Sequence, residues 1–113
     1  MIVLLTFVVN NHFMQPALTE IKQAIQPILK RHEIKRASLF GSFADGTAND
    51  SSDVDILVEL SGTIGLLAFI RIKHDLEDVL NRKVDLVEFR AIKPSLQQLI
   101  LNQSIPIYGQ ETT

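Results

Sequence analysis

The sequence predicts one α/β domain in which helices pack against a mixed β-sheet, and three observations predict it. Hydrophobic residues make up 46% of the 113 positions and charged residues 21%, which is soluble-globular usage with material for one modest core rather than two. Apolar residues recur at helical spacing in three stretches and at extended spacing in three more. Those stretches run mainly in the order α-β-β-α-β-α, with no internal repeat, linker or low-complexity tract between them.

The chain opens on an apolar run, Ile2 to Val9, interrupted by Thr6. It is too short to span a bilayer and lacks a basic leader or a small-residue cleavage site. Residues 1–13 read as an N-terminal extension and residues 14–113 as the domain proper, with Met14 a sensible start. Pro16 to about His32 is a helix, because Leu18, Ile21, Ala24, Ile25 and Ile28 share one face; Pro27 is expected to kink or split it. Ile34 to Phe40 reads as a strand entering Gly41. Residues 44–52, rich in Asp, Asn, Ser, Thr and Gly, form a polar loop. In the strand from Asp53 to Leu60, carboxylates and Leu57 alternate with Val54, Ile56, Val58 and Leu60, giving one functional and one greasy face. After the Ser61-Gly62 break, Ile64 to Asn81 is a second helix and Lys83 to Phe89 a third strand. Pro94 opens a short helix that ends at Asn102, and Ile105 to Tyr108 is a final extended segment.

Composition excludes several functions. The formal net charge of −2 denies the chain the basic field that drives non-specific nucleic-acid binding, so no direct nucleic-acid partner is expected. Lys30, Arg31, Lys35 and Arg36 read as cations decorating the end of the first helix. Without cysteine there is no disulfide, thiolate zinc site or thiol nucleophile, which fits a reducing cytoplasm. His12, His32 and His74 show no ligand spacing. Tyr108, the only tyrosine, reads as a packing residue.

The chemistry lies in the acidic residues. Asp53 and Asp55 are two apart on one strand, so they share a face about 6–7 Å apart and can flank a hard cation or bridge two. Asp85 sits in the third strand between Val84 and Leu86. If that strand pairs beside the second, Asp85 joins them as a ligand or as base on an attacking hydroxyl. Asp53, Asp55 and Glu59 put three carboxylates on one strand face, where like charges repel, and something cationic is expected to compensate. Gly41 permits close approach of a phosphate, and Ser42 offers a hydroxyl and an N–H. No lysine follows the glycine as in a P-loop. The constellation speaks for magnesium-assisted displacement at phosphorus, where positioning and charge neutralisation do most of the work.

Phe40-Gly41-Ser42-Phe43-Ala44 and Ser52-Asp53-Val54-Asp55-Ile56-Leu57-Val58, with ten residues between Ser42 and Asp53, resemble the minimal nucleotidyltransferases of the DNA polymerase β superfamily. Arg82-Lys83-Val84-Asp85-Leu86-Val87 looks like that family's third-carboxylate strand. The likeness spans about residues 15–110 and is nearest to the MntA type, the antitoxins of HEPN-domain ribonuclease toxins. It implies a polymerase-β-like nucleotidyltransferase fold. It further implies that Gly41 and Ser42 hold nucleotide phosphates, and that Asp53, Asp55 and Asp85 bind two magnesium ions and catalyse. The implied reaction moves AMP from ATP to a tyrosine of a HEPN toxin held in a stable complex, silencing it.

One position departs from the pattern. Many relatives carry arginine where this chain has Asp45, and an aspartate cannot neutralise triphosphate charge. Lys83, Arg82 and Arg71 are candidates to replace it, though nothing in the sequence puts them there. The chain has no residues to spare for an acceptor-gripping domain, which favours a protein substrate. Leu66, Leu67, Phe69 and Ile70 exceed what one buried helical stripe needs and mark either a docking surface or core. Two other readings stand beside the enzyme: an inactive antitoxin that neutralises by binding, and the catalytic subunit of a small-molecule nucleotidyltransferase.

Overall fold

Apolar positions of two helices and four strands meet in one layer and set the architecture. The computed structural model describes residues 18–49 and 51–109; the expectations for the Ile2–Val9 run and the 1–13 extension lie outside them. In order come α1 (Leu18–Arg31), β1 (Ile34–Phe40), α2 (Ser42–Asp45), β2 (Val54–Leu60), α3 (Leu66–Leu80), β3 (Val84–Glu88), a 3-10 turn (Phe89–Ala91), α4 (Pro94–Asn102) and β4 (Ile105–Gly109). The sheet order is β3-β2-β1-β4. β1 runs antiparallel to both β2 and β4, and β3 runs parallel to β2. The expected mixed sheet is what forms.

The core lies between α1, α3 and one face of the sheet. Ile21, Ile25 and Leu29 of α1 and Ile72 and Leu76 of α3 are buried with Leu39, Val54, Ile56, Val58 and Val84. Period-two alternation then sends Phe40, Asp55 and Asp85 to the opposite face. Ile72→Val is expected to lower unfolding free energy by about 0.5–1.5 kcal/mol. The check is a shifted urea midpoint with unchanged slope.

Three local findings depart from the sequence reading. Pro27 does not split α1, which continues to Arg31. Pro27 is exposed and so is Gln23 one turn before it, so the carbonyl deprived of its N–H partner faces solvent rather than core. The loop after Gly41 contains the short helix α2, closed by Gly46 in the left-handed region at φ 84°. The basic cluster also divides. Lys30 and Arg31 do occupy the last turn of α1, but Lys35 and Arg36 lie on β1 and pair with Glu59 of β2.

Arg31 and His32 both reach Asp75 of α3, at 3.2 and 2.8 Å, pinning the two core helices together. Tyr108 packs against the core, as expected. The second helix divides its apolar residues. Leu66 and Leu67 are 72% and 81% exposed, whereas Phe69 and Ile70 are half-buried and Phe69 packs on the core. No helix among the described residues is long and apolar enough to cross a membrane.

Candidate active site

Strand register assembles the acidic site. Asp55 of β2 stands level with Asp85 of β3 on one side and with Phe40 of β1 on the other. Gly41 therefore arrives beside the Asp55 side chain. A Cβ at Gly41 would lie 2.1 Å from Asp55 Oδ2, and the residue adopts φ 69°. Both facts require glycine: no side chain fits against the carboxylate, and L-residues rarely take that backbone shape. The fold itself therefore demands glycine at this turn.

Asp55 is half-buried, while Asp53 and Asp85 are exposed. Burial raises the Asp55 carboxyl to about 6, helped by the charge and hydrogen bonding of Asp85 and by the charge of Asp53. Asp55 thus feels the charge of both neighbouring acids. The fold favours protonated Asp55, so its contribution to stability is full below the free value of 3.8 and is lost as pH rises through about 6. With divalent cations chelated, the urea midpoint is expected to fall across that window, and Asp55→Asn should remove the step.

All three donors are hard carboxylate oxygens, the ligand type of magnesium, and a cation would relieve their repulsion. Among the described residues no three acidic or histidine side chains form a ready-made metal cage. That suits magnesium, which binds one or two carboxylates together with substrate phosphates and water more often than a protein cage. The donor chemistry fits the ion.

Asp45 has a local task. Its Oδ1 accepts from the Thr47 N–H at 2.9 Å and the Thr47 hydroxyl at 2.6 Å, and these bonds hold its carboxyl below the usual range. It shapes the turn that ends α2. None of the three cations considered in place of the arginine stands in for it in an evident way. Arg71 is exposed on α3, in the helical layer across the sheet from Asp55, and Lys83 is exposed before β3. Arg82 instead holds the acidic loop. It donates to the carbonyls of Asn49 at 2.9 Å and Ser52 at 3.2 Å, and its guanidinium lies 5.2 Å from the centre of the Phe43 ring.

One residue thereby ties α2, just after Ser42, to the turn before Asp53. Sequence reasoning missed this role, since the contact joins residues about thirty positions apart and follows no local period. Arg82→Ala is expected to speed amide exchange at Ser52 about tenfold or more, the worth of a hydrogen bond to a charged group. Arg82→Lys should restore little of it, because a lysine lacks the planar fork that reaches two carbonyls and stacks on a ring.

Gly41 and Asp85 thus meet Asp55 on the sheet face away from α1 and α3, with Ser42 next along the chain and Asp53 just before β2. The chain belongs to the family described as Polymerase beta, Nucleotidyltransferase, whose model matches residues 23–113. It is 43% identical over 90 residues to a Methanocaldococcus jannaschii protein named as a candidate protein adenylyltransferase, covering 80% of this chain and 97% of that one. It is 34% identical over 76 residues to the protein adenylyltransferase MntA of Thermococcus cleftensis, covering 67% of this chain and 77% of that protein. Among solved structures, a chain of a toxin-antitoxin crystallised with AMP-PNP superposes with a TM-score of 0.71 and 28% identity, covering 80% of this chain and 74% of that one.

Proposed function

We propose that this nucleotidyltransferase is an antitoxin that moves AMP from ATP to a tyrosine hydroxyl of a HEPN-domain toxin. The level placement of Asp55 and Asp85, with Gly41 against Asp55, carries the reading. It is supported by the likeness to MntA and to a toxin-antitoxin structure with AMP-PNP. Gly41 and Ser42 hold the terminal phosphates, and Asp53, Asp55 and Asp85 would hold magnesium. Held by those carboxylates, magnesium would supply neutralisation of phosphate charge and stabilisation of the attacking and leaving oxygens.

Asp85 orients the tyrosine hydroxyl and takes its proton. The phenolic oxygen bonds to the α-phosphorus as the bond from that phosphorus to the bridging oxygen breaks, and pyrophosphate leaves. Intact mass of the cognate toxin, after incubation with this protein, ATP and magnesium, tests the reading. A gain of one or more AMP units that disappears with Asp53→Asn/Asp55→Asn is the expected result. A tight complex with no mass gain would leave neutralisation by binding alone.

A further inference from the structure

Strand pairing sets Asp55 level with Asp85, but Ser42 and Asp53 are joined by the polar loop, and that loop is two turns. In the first, the Ser42 carbonyl accepts from the N–H groups of Thr47 and Ala48 at 3.0 and 3.1 Å. In the second, the Asn49 N–H donates to the Ser52 hydroxyl at 2.8 Å and the Ser52 N–H to the Asn49 carbonyl at 3.0 Å. Ala48 is buried and anchors the first turn to the core; Asn49 and Ser51 of the second are exposed. Each turn is bonded within itself, so their mutual placement depends on a group that touches both.

Arg82 is such a group. Its Nη1 donates to the carbonyls of Asn49 and Ser52, and the guanidinium lies over the ring of Phe43, a buried residue of the first turn. The backbone that carries it is held on both sides. Asn81 closes α3 in the left-handed region at φ 53°, with its N–H donating to the Glu77 carbonyl at 2.8 Å. The Lys83 carbonyl accepts from the Val54 N–H at 2.9 Å, and the Val84 N–H donates to a Glu77 carboxylate oxygen at 3.0 Å. From this junction of α3, β2 and β3, one side chain touches the residue after Ser42 and the residue before Asp53.

We infer that Arg82 is a positioning residue: it sets Ser42 against Asp53, and so places the phosphates relative to the carboxylates in the transfer proposed above, on which this role rests. Ser42 and Asp53 contact different parts of the bound nucleotide, so a shift between them is tolerated in binding. In-line displacement needs both in register, and the loss therefore falls on kcat more than on ATP affinity.

Arg82→Ala is expected to lower kcat for AMP transfer by about tenfold to 10²-fold, the effect of a shift of about an ångström near a reacting centre. The calorimetric Kd for magnesium-ATP should stay within about threefold. Calorimetric stoichiometry counts folded sites, so kcat is taken per site. Arg82→Lys keeps the charge without the planar guanidinium and should remain about threefold or more below wild type at a similar urea midpoint. Guanidinium ion, far below unfolding concentrations, should raise kcat of Arg82→Ala saturably, and ammonium should not. Amide exchange reads the same coupling without turnover. Magnesium-ATP should slow exchange at Ser42 and Asp53 together in the wild type; in Arg82→Ala, protection at Asp53 should fall about tenfold while that at Ser42 stays.

Wild-type kcat per site in Arg82→Ala or Arg82→Lys overturns the assignment. So does a kcat that falls only in step with stoichiometry and urea midpoint, which would give Arg82 a role in stability alone. If Arg82→Ala does not fold, Arg82→Lys decides on the same measurements. If the wild type moves no AMP, the transfer reading falls and exchange decides: joint protection broken by the substitution keeps the positioning role, and protection unchanged by it removes that role.

Discussion

Asp53→Asn/Asp55→Asn is expected to lower AMP transfer by about 10³-fold or more while leaving the protein folded. Single preorganised charge-stabilising groups are already worth about 10²–10³-fold, and this double change removes two anionic donors from one site. Asparagine keeps the size and one acceptor oxygen of each side chain, so packing is disturbed little. The fold should even gain slightly above pH 6, since the buried Asp55 charge is held at an energetic cost there. Steady-state transfer beside urea denaturation separates the two effects. Loss of activity with an unchanged or higher midpoint is the expected pair; retained transfer would remove these carboxylates from the chemistry.

Gly41→Ala is expected to cost activity and stability together. The new methyl would stand 2.1 Å from Asp55 Oδ2 at a residue held at φ 69°. The backbone at φ 69° and ψ −146°, a shape essentially reserved for glycine, alone costs an alanine about 1–3 kcal/mol. Relief of the clash needs Asp55 or the turn to move by about an ångström, and a displacement of that size at a reacting centre can cost ~10²-fold in rate. The carboxyl would also lose its present neighbours, so its titration near 6 should shift in the variant. A fall in kcat of ~10²-fold with a modest fall in urea midpoint is expected. Wild-type kcat in a stable Gly41→Ala protein would show that the contact between turn and carboxylate has no catalytic weight.

Much of the fold was legible because it follows local periods. The alternation of Val54, Ile56 and Val58 with Asp55, Leu57 and Glu59 reports one strand with two unlike faces, and the structure keeps that division. Leu57 is the exception in environment: it shares the carboxylate face yet is buried. What covers it comes from residues after β3, which no pattern within β2 announces. The short helix α2 was hidden for a related reason. Four residues are too few for a hydrophobic period, and two of them, Ser42 and Asp45, are turn-forming types.

The surface of α3 divided in a way spacing alone could not resolve. Leu66, Leu67, Phe69 and Ile70 look alike in sequence, and only the neighbouring sheet decides which are buried. Phe69 meets the core; Leu66 and Leu67 stay in solvent. Arg82 was noticed as a charge and misjudged in use. Its partners are the backbone carbonyls of Asn49 and Ser52, and carbonyls carry no sequence signal.

By itself the sequence determined which residue types would share a strand face, where the chain must turn, and that three carboxylates and a Gly-Ser pair were available for chemistry at phosphorus. These follow from side-chain alternation, backbone freedom and charge, all properties of neighbours along the chain. The tertiary structure decided that β3 lies parallel beside β2, bringing Asp85 level with Asp55, and that Gly41 closes against the same carboxylate. It also decided that the chain after β3 leaves a groove beside the acids. Those outcomes depend on strand order and on contacts between distant segments, which the burial of the whole core selects and no local pattern encodes.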